Sequence, residues 1–199
     1  MSSQSLTRRN TKVLVGTAML AAVSVVLSYF EFQMPFSPAF ARMDFSDLPA
    51  LLAAFAYGPI SGVGVELIKN LLGLLKGATG GVGELANFAV GTALVLPAGL
   101  IYQLRKTRSG ALIGMLAGSV LMGIVSALMN YFVLLPLYTM FMPMDEMIAA
   151  FAEFIPIIKT RLDICLYSAL PTTFGKGIVV SAITFLLYKR LRPLLKGAI

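Results

Sequence analysis

The chain has no histidine, one cysteine and only nine acidic residues among 199, and each shortage removes a class of function. Without histidine it lacks the side chain most used as a metal ligand and as a general base near neutral pH. Cys165 alone permits neither an intrachain disulfide nor a cysteine metal cluster. With Cys165 close to a predicted membrane boundary, no convincing pairing of nucleophile and base is present, and only carboxylate chemistry stays open to an enzyme. A nucleotide-hydrolysis motif is missing too. The stretch Gly77-Ala78-Thr79-Gly80-Gly81-Val82-Gly83 is glycine-rich, but no lysine followed by Ser or Thr stands at the spacing a phosphate loop requires. Any active transport must therefore draw its energy from an ion gradient or from a partner.

What the chain has in plenty is apolar surface. Hydrophobic residues make up 58% and charged residues 13%, against about 25% charged in an ordinary soluble domain. The net charge of +7 can mark a nucleic-acid surface, but here the cations stand at the ends of apolar runs, which a membrane orientation explains better. Arg8, Arg9 and Lys12 precede a charge-free run from Val13 to Phe30. Arg105, Lys106 and Arg108 follow a second run, from Leu85 to Leu104, and Lys189, Arg190, Arg192 and Lys196 close the chain. These clusters hold ten of the sixteen basic residues and no acid, so they are expected inside, together with both termini. A secretory signal is disfavoured. The first run is eighteen residues long, beyond the about 7 to 15 of a signal core, and the cleavage-like Ala39-Phe40-Ala41 lies well downstream.

A helix needs about 20 apolar residues to cross the hydrocarbon layer. On that basis the approximate spans are 12–30, 48–58, 60–76, 85–104, 110–136 and 166–188. The expected fold is an all-α integral membrane protein of the plasma membrane: a single domain over 1–199, a six-transmembrane-helix bundle with both termini cytoplasmic. The second and third spans rest on Gly58-Pro59, which interrupts an otherwise apolar run. One crossing there would put Arg105 to Arg108 outside; two short tilted helices, or a re-entrant hairpin, keep the cluster inside. Pro136 and Pro143 are expected to end the long fifth helix near Leu135. Three connections then lie outside, 31–47, 77–83 and 139–163, and they carry most of the acids.

An ionisable residue within a span costs about 2.5 to 3.5 kcal/mol on insertion scales, which makes each one a candidate site. Glu66, Lys69 and Asn70 share one helical face, and the first two can pair to reduce that cost. Lys176 has no acid within a turn on its own helix. It needs a ligand, a carbonyl or a carboxylate from another helix, unless it snorkels to the outer interface. Asn87, Asn130, Thr173 and Lys176 converge on one level beneath the outer loops, where a ligand is expected, although either amide alone could simply join helices. Above that level Tyr29, Phe30, Phe32, Phe36, Phe40 and Phe45 place six rings within seventeen residues. Such density suits stacking on a flat heterocycle beneath a lid, with Tyr29 and Phe30 serving as an interfacial belt. Ala18 and Ala22, one turn apart, with Ala21 and Ser28 adding small positions, allow the first helix to approach another closely, inside the bundle or on a partner.

Several blocks in order carry a resemblance. They are Met43-Asp44-Phe45-Ser46-Asp47-Leu48-Pro49 entering the second helix, Tyr57-Gly58-Pro59 at the turn, Ile68-Lys69-Asn70, Gly83-Glu84-Leu85-Ala86-Asn87-Phe88 opening the fourth helix, and Pro171 to Lys176. With them the chain resembles the substrate-binding S-components of energy-coupling factor vitamin transporters, most closely the riboflavin-specific type. The resemblance implies an outward-opening six-helix capture subunit whose transported ligand is riboflavin, with no cofactor and no metal. It also implies that Ala18 and Ala22 dock onto a transmembrane coupling subunit driven by two ATPase subunits. Joined to the polar level and the aromatic loop, it gives a substrate-binding set of Phe40, Asp44, Phe45, Asp47, Asn87, Asn130, Thr173 and Lys176. Thr173 stands where related sequences carry Asn, which leaves the phosphorylated flavin FMN or another vitamin open as ligand. A self-contained secondary transporter or ion channel, using Glu66, Lys69 and Lys176 as a relay, is the alternative from another class; no inverted repeat supports it.

Overall fold

A computed structural model describes residues 3–33, 37–38, 42–76 and 80–196, with side chains placed from residue 10 to residue 188 within those ranges. The order is α1 (Ser3–Leu27), a two-stranded hairpin of β1 (Phe32–Gln33) and β2 (Arg42–Met43), α2 (Asp47–Tyr57), α3 (Pro59–Gly73), α4 (Val82–Leu104), α5 (Arg108–Met129), α6 (Leu135–Tyr138), α7 (Met144–Ala152), α8 (Arg161–Asp163) and α9 (Leu170–Lys196). The hairpin is antiparallel, with Phe32 opposite Met43 and Gln33 opposite Arg42. Among the described residues four helical stretches are long and apolar enough to cross a membrane: Asn10–Leu27, Val82–Leu104, Arg108–Tyr138 and Arg161–Tyr188. Leu14, Met19, Leu85, Leu116, Phe132 and Leu186 are exposed around them, as side chains facing lipid would be.

The break between α2 and α3 lies at Gly58, whose φ of 110° is open to glycine and strained for other residues. Pro59 then opens α3, where its fixed φ fits and its missing N–H is not needed. Beyond Asp47, α2 is apolar on every face because it is covered on every face. It packs on α1, α3, α4 and α9, and Ala50, Leu51, Ala53 and Ala54 are fully or almost fully buried. The most extensive helix pair, α4 with α5, is drawn together by small residues. A Cβ on Gly114 would stand 2.8 Å from the Ala98 carbonyl oxygen, and one on Gly118 would collide with that of Leu94.

Pro136 and Pro171 are accommodated without ending their helices, as is Pro97 inside α4. The fifth helix does not stop near Leu135 but runs on to Tyr138, through a π turn at Asn130–Leu134 just ahead of Pro136. In that turn the Leu135 N–H reaches back five residues to the Asn130 carbonyl, a widening that makes room for the proline ring. A second π turn, Ile164–Ala169, precedes Pro171 in the same way, with the Leu170 N–H donating to the Cys165 carbonyl. The last long helical stretch accordingly begins at Arg161, five residues before the expected start, and Thr160 and Asp163 form a capping box there. The connection 139–163 also folds more than expected. Met147 and Phe151 of α7 pack with Leu135, Ile158, Ile164 and Cys165 into a second apolar cluster at the hairpin end of the bundle. At the opposite end Phe55, Tyr102 and Tyr188 pack ring against ring, and the two tyrosine hydroxyls lie 3.1 Å apart.

Candidate ligand-binding site

Both π turns border a cavity of about 440 Å³ set into the hairpin end of the bundle. Its size falls in the range of small-molecule sites. α3 supplies Lys69 and Asn70, α4 supplies Glu84, Asn87 and Val90, and the fifth helix supplies Met122, Ser126, Met129, Asn130 and Leu134. Phe151 of α7 and Ser168, Thr173 and Lys176 of the last helix also line it, with Glu31, Arg42, Met43 and Asp44 of the hairpin segment beside them. Both apolar and polar groups line this surface, which suits a ligand that is part ring and part hydrogen-bonding chain.

Behind Lys69 and Lys176 of the wall lies an ion network built on the first turn of α2. Lys69 Nζ lies 2.7 Å from Asp47 Oδ1 and 2.6 Å from Glu66 Oε2. Lys176 Nζ lies 2.7 Å from Asp47 Oδ2 and 3.6 Å from Asp44 Oδ1. Asp47 thus bridges two lysines from different helices, and its place in a first helical turn suits a carboxylate. Such a set survives burial because its charges are shared; removing one partner from a buried pair typically costs about 3 to 5 kcal/mol. Local contacts hold the network in place. Asp44 Oδ1 accepts hydrogen bonds from Ser46 N at 2.9 Å and Ser46 Oγ at 2.7 Å, and the buried Ser24 of α1 donates to the Ser46 carbonyl at 2.5 Å.

The uncharged polar groups form two ladders. Asn87 Nδ2 donates to Asn70 Oδ1 at 2.9 Å, and Asn70 Nδ2 donates to the Glu66 carbonyl at 2.8 Å. On the other side Asn130 Nδ2 donates to the Ser126 carbonyl at 2.9 Å, while the Ser126 and Thr173 hydroxyls are 2.9 Å apart. Asn87 and Asn130 each donate one amide hydrogen to the protein, and their side-chain carbonyl oxygens can accept from a ligand N–H or O–H.

Of the residues singled out from sequence, Asp44, Asn87, Asn130, Thr173 and Lys176 come together on this one cavity. Lys176 does not reach for solvent but finds a carboxylate on another helix. Asp47 is completely buried behind the lysines and is not part of the wall. Phe45 packs on the core and on Phe32, with ring centroids 5.2 Å apart, and likewise does not line the cavity. Phe36 and Phe40 lie outside the described residues. On α1, Ala18 and Ala22 are exposed beside Leu14, Val15 and Met19, whereas Ala21 and Ser28 are buried against the bundle and belong to a different face. Sequence reasoning missed Met122, Ser126 and Met129, although their helical spacing from Asn130 was a readable signal. It also missed Ser168 and Phe151, for which no local pattern exists.

Fold and site together define a multi-pass helical protein of the cell membrane with a small-molecule cavity in one end of its bundle. Residues 12–188 match the family described as "ECF transporter, substrate-specific component", and the chain belongs to that family. It is 37% identical to the riboflavin transporter RibU of Staphylococcus aureus over 194 residues, covering 97% of each chain. It is 33% identical to the riboflavin transporter FmnP of Bacillus subtilis, covering 92% of this chain and 93% of that one. Among solved structures it matches one described as "Structure and mechanism of the S component of a bacterial ECF transporter". The TM-score is 0.75 at 36% identity, covering 94% of this chain and 99% of the other.

Proposed function

We propose that this chain captures riboflavin outside the cell as the substrate-specific membrane subunit of an ATP-driven energy-coupling factor importer. One observation carries the reading: a cavity walled by Asn87, Asn130, Thr173 and Lys176, in a chain 37% identical across 97% of its length to a riboflavin transporter. The wall suits a flavin. Val90, Met122, Met129, Leu134 and Phe151 offer apolar contact to a flat ring system, and the amides, hydroxyls and lysine offer partners for ring-edge and ribityl polar groups. In this reading the hairpin segment closes over the ligand, Asp44 contacts it, and Asp47 acts from behind.

The same reading makes α1 through α3, α4, the helix from Arg108 to Tyr138 and the helix beginning at Arg161 the six spans of a single domain, with both termini cytoplasmic. The basic clusters at the ends of the apolar runs support that orientation. Ala18 and Ala22, exposed on an apolar face of α1, form the docking surface for the transmembrane coupling subunit, which two ATPase subunits drive. Such a partner would supply the energy for which this chain has no motif of its own. Uptake of labelled riboflavin in cells carrying this chain with and without a coupling module tests the assignment. Accumulation above background only with the module is expected; accumulation independent of it would point instead to a self-contained transporter.

A further inference from the structure

The charge balance of the cavity bears on which flavin it takes, an inference that rests on the flavin reading above. Its two lysines are already neutralised: Lys69 by Asp47 and Glu66, Lys176 by Asp47 at 2.7 Å and more loosely by Asp44 at 3.6 Å. Arg42, Glu31 and Glu84 are the other acidic and basic side chains on the wall among the described residues. Neither lysine is therefore a free cation for a dianionic phosphate brought into the cavity. Asp47 is the hub of that balance. It is wholly buried, lies outside the wall and holds both lysines at once.

We infer that Asp47 is the positioning residue that sets the cavity's charge selectivity: by holding and neutralising Lys176 it favours a neutral flavin over its phosphate monoester. Replacing it with asparagine keeps the shape but removes one negative charge. Lys69 then keeps Glu66, and Lys176 keeps only the distant Asp44, so the lysine presents an uncompensated cation to the cavity. At an effective dielectric near 20, one unit charge acting over about 10 Å changes affinity by about tenfold or more.

Purified protein is titrated with riboflavin and with FMN by quenching of flavin fluorescence, and the ratio of the two affinities is compared among wild type, Asp47→Asn and Asp47→Glu. The expected result is a shift of the ratio toward FMN by about tenfold or more in Asp47→Asn, with Asp47→Glu holding the wild-type ratio even where both affinities fall. A merely structural role would weaken both ligands alike. An unchanged ratio in an Asp47→Asn protein that still binds riboflavin overturns the inference. Wild type that binds neither flavin overturns the flavin reading itself. Should Asp47→Asn fail to fold, Asp44→Asn serves in its place: a smaller shift in the same direction is expected, and an unchanged ratio overturns the inference.

Discussion

Asp47 Oδ2 stands 2.7 Å from Lys176 Nζ, so the first turn of α2 is tied to the last helix through a buried carboxylate. The contact answers the question that a lone lysine in an apolar span poses. Its charge is met by an acid from a segment far away in the chain, and its ammonium group is thereby held at the cavity wall.

Lys176→Ala removes a buried polar contact from the proposed ligand and is expected to weaken riboflavin binding by about 1 to 3 kcal/mol. Equilibrium titration in detergent checks this, and a dissociation constant equal to that of the wild type contradicts the role.

Gly118 faces the Leu94 carbonyl at the tight α4–α5 contact. Gly118→Val forces those helices apart and is expected to destabilise the bundle by about 1 to 3 kcal/mol, read as an earlier thermal transition in detergent. Gly175 has open space around its Cβ position, and Gly175→Ala is expected to melt like wild type.

Much of this layout is legible in the sequence. Gly58-Pro59 marks its break because only glycine accepts the φ found there and proline suits the next helical position. The cost of an ionisable group in lipid flagged Glu66, Lys69 and Lys176, and Asn87, Asn130 and Thr173 did gather on one cavity. What stayed hidden depended on tertiary contact. Nothing local says that Asp47 serves two lysines, or that Phe151 of α7 folds back onto the cavity. Pro136 misled for a related reason: a proline signals a helix end, and only the π turn ahead of it, formed where the helix borders the cavity, lets the helix go on.

Bulky residues at Ala18 and Ala22 are expected to leave riboflavin binding unchanged while abolishing uptake, because both side chains lie on the exposed face of α1 and not on the cavity. Binding to purified protein and uptake by cells are measured side by side; retained uptake contradicts docking through this face.

Orientation is checked at the basic connection between α4 and α5. With Cys165 replaced by Ser, a cysteine introduced by Lys106→Cys is expected to resist membrane-impermeant thiol reagents added to intact cells and to react once the membrane is opened. Ready labelling in intact cells would place that connection outside and reverse the topology.

Flavin capture is tested by the absorption spectrum of the protein purified in detergent from cells grown with riboflavin, with the released ligand identified by mass. A yellow protein carrying stoichiometric riboflavin is expected. A colourless protein that also fails to bind added flavin would contradict flavin capture.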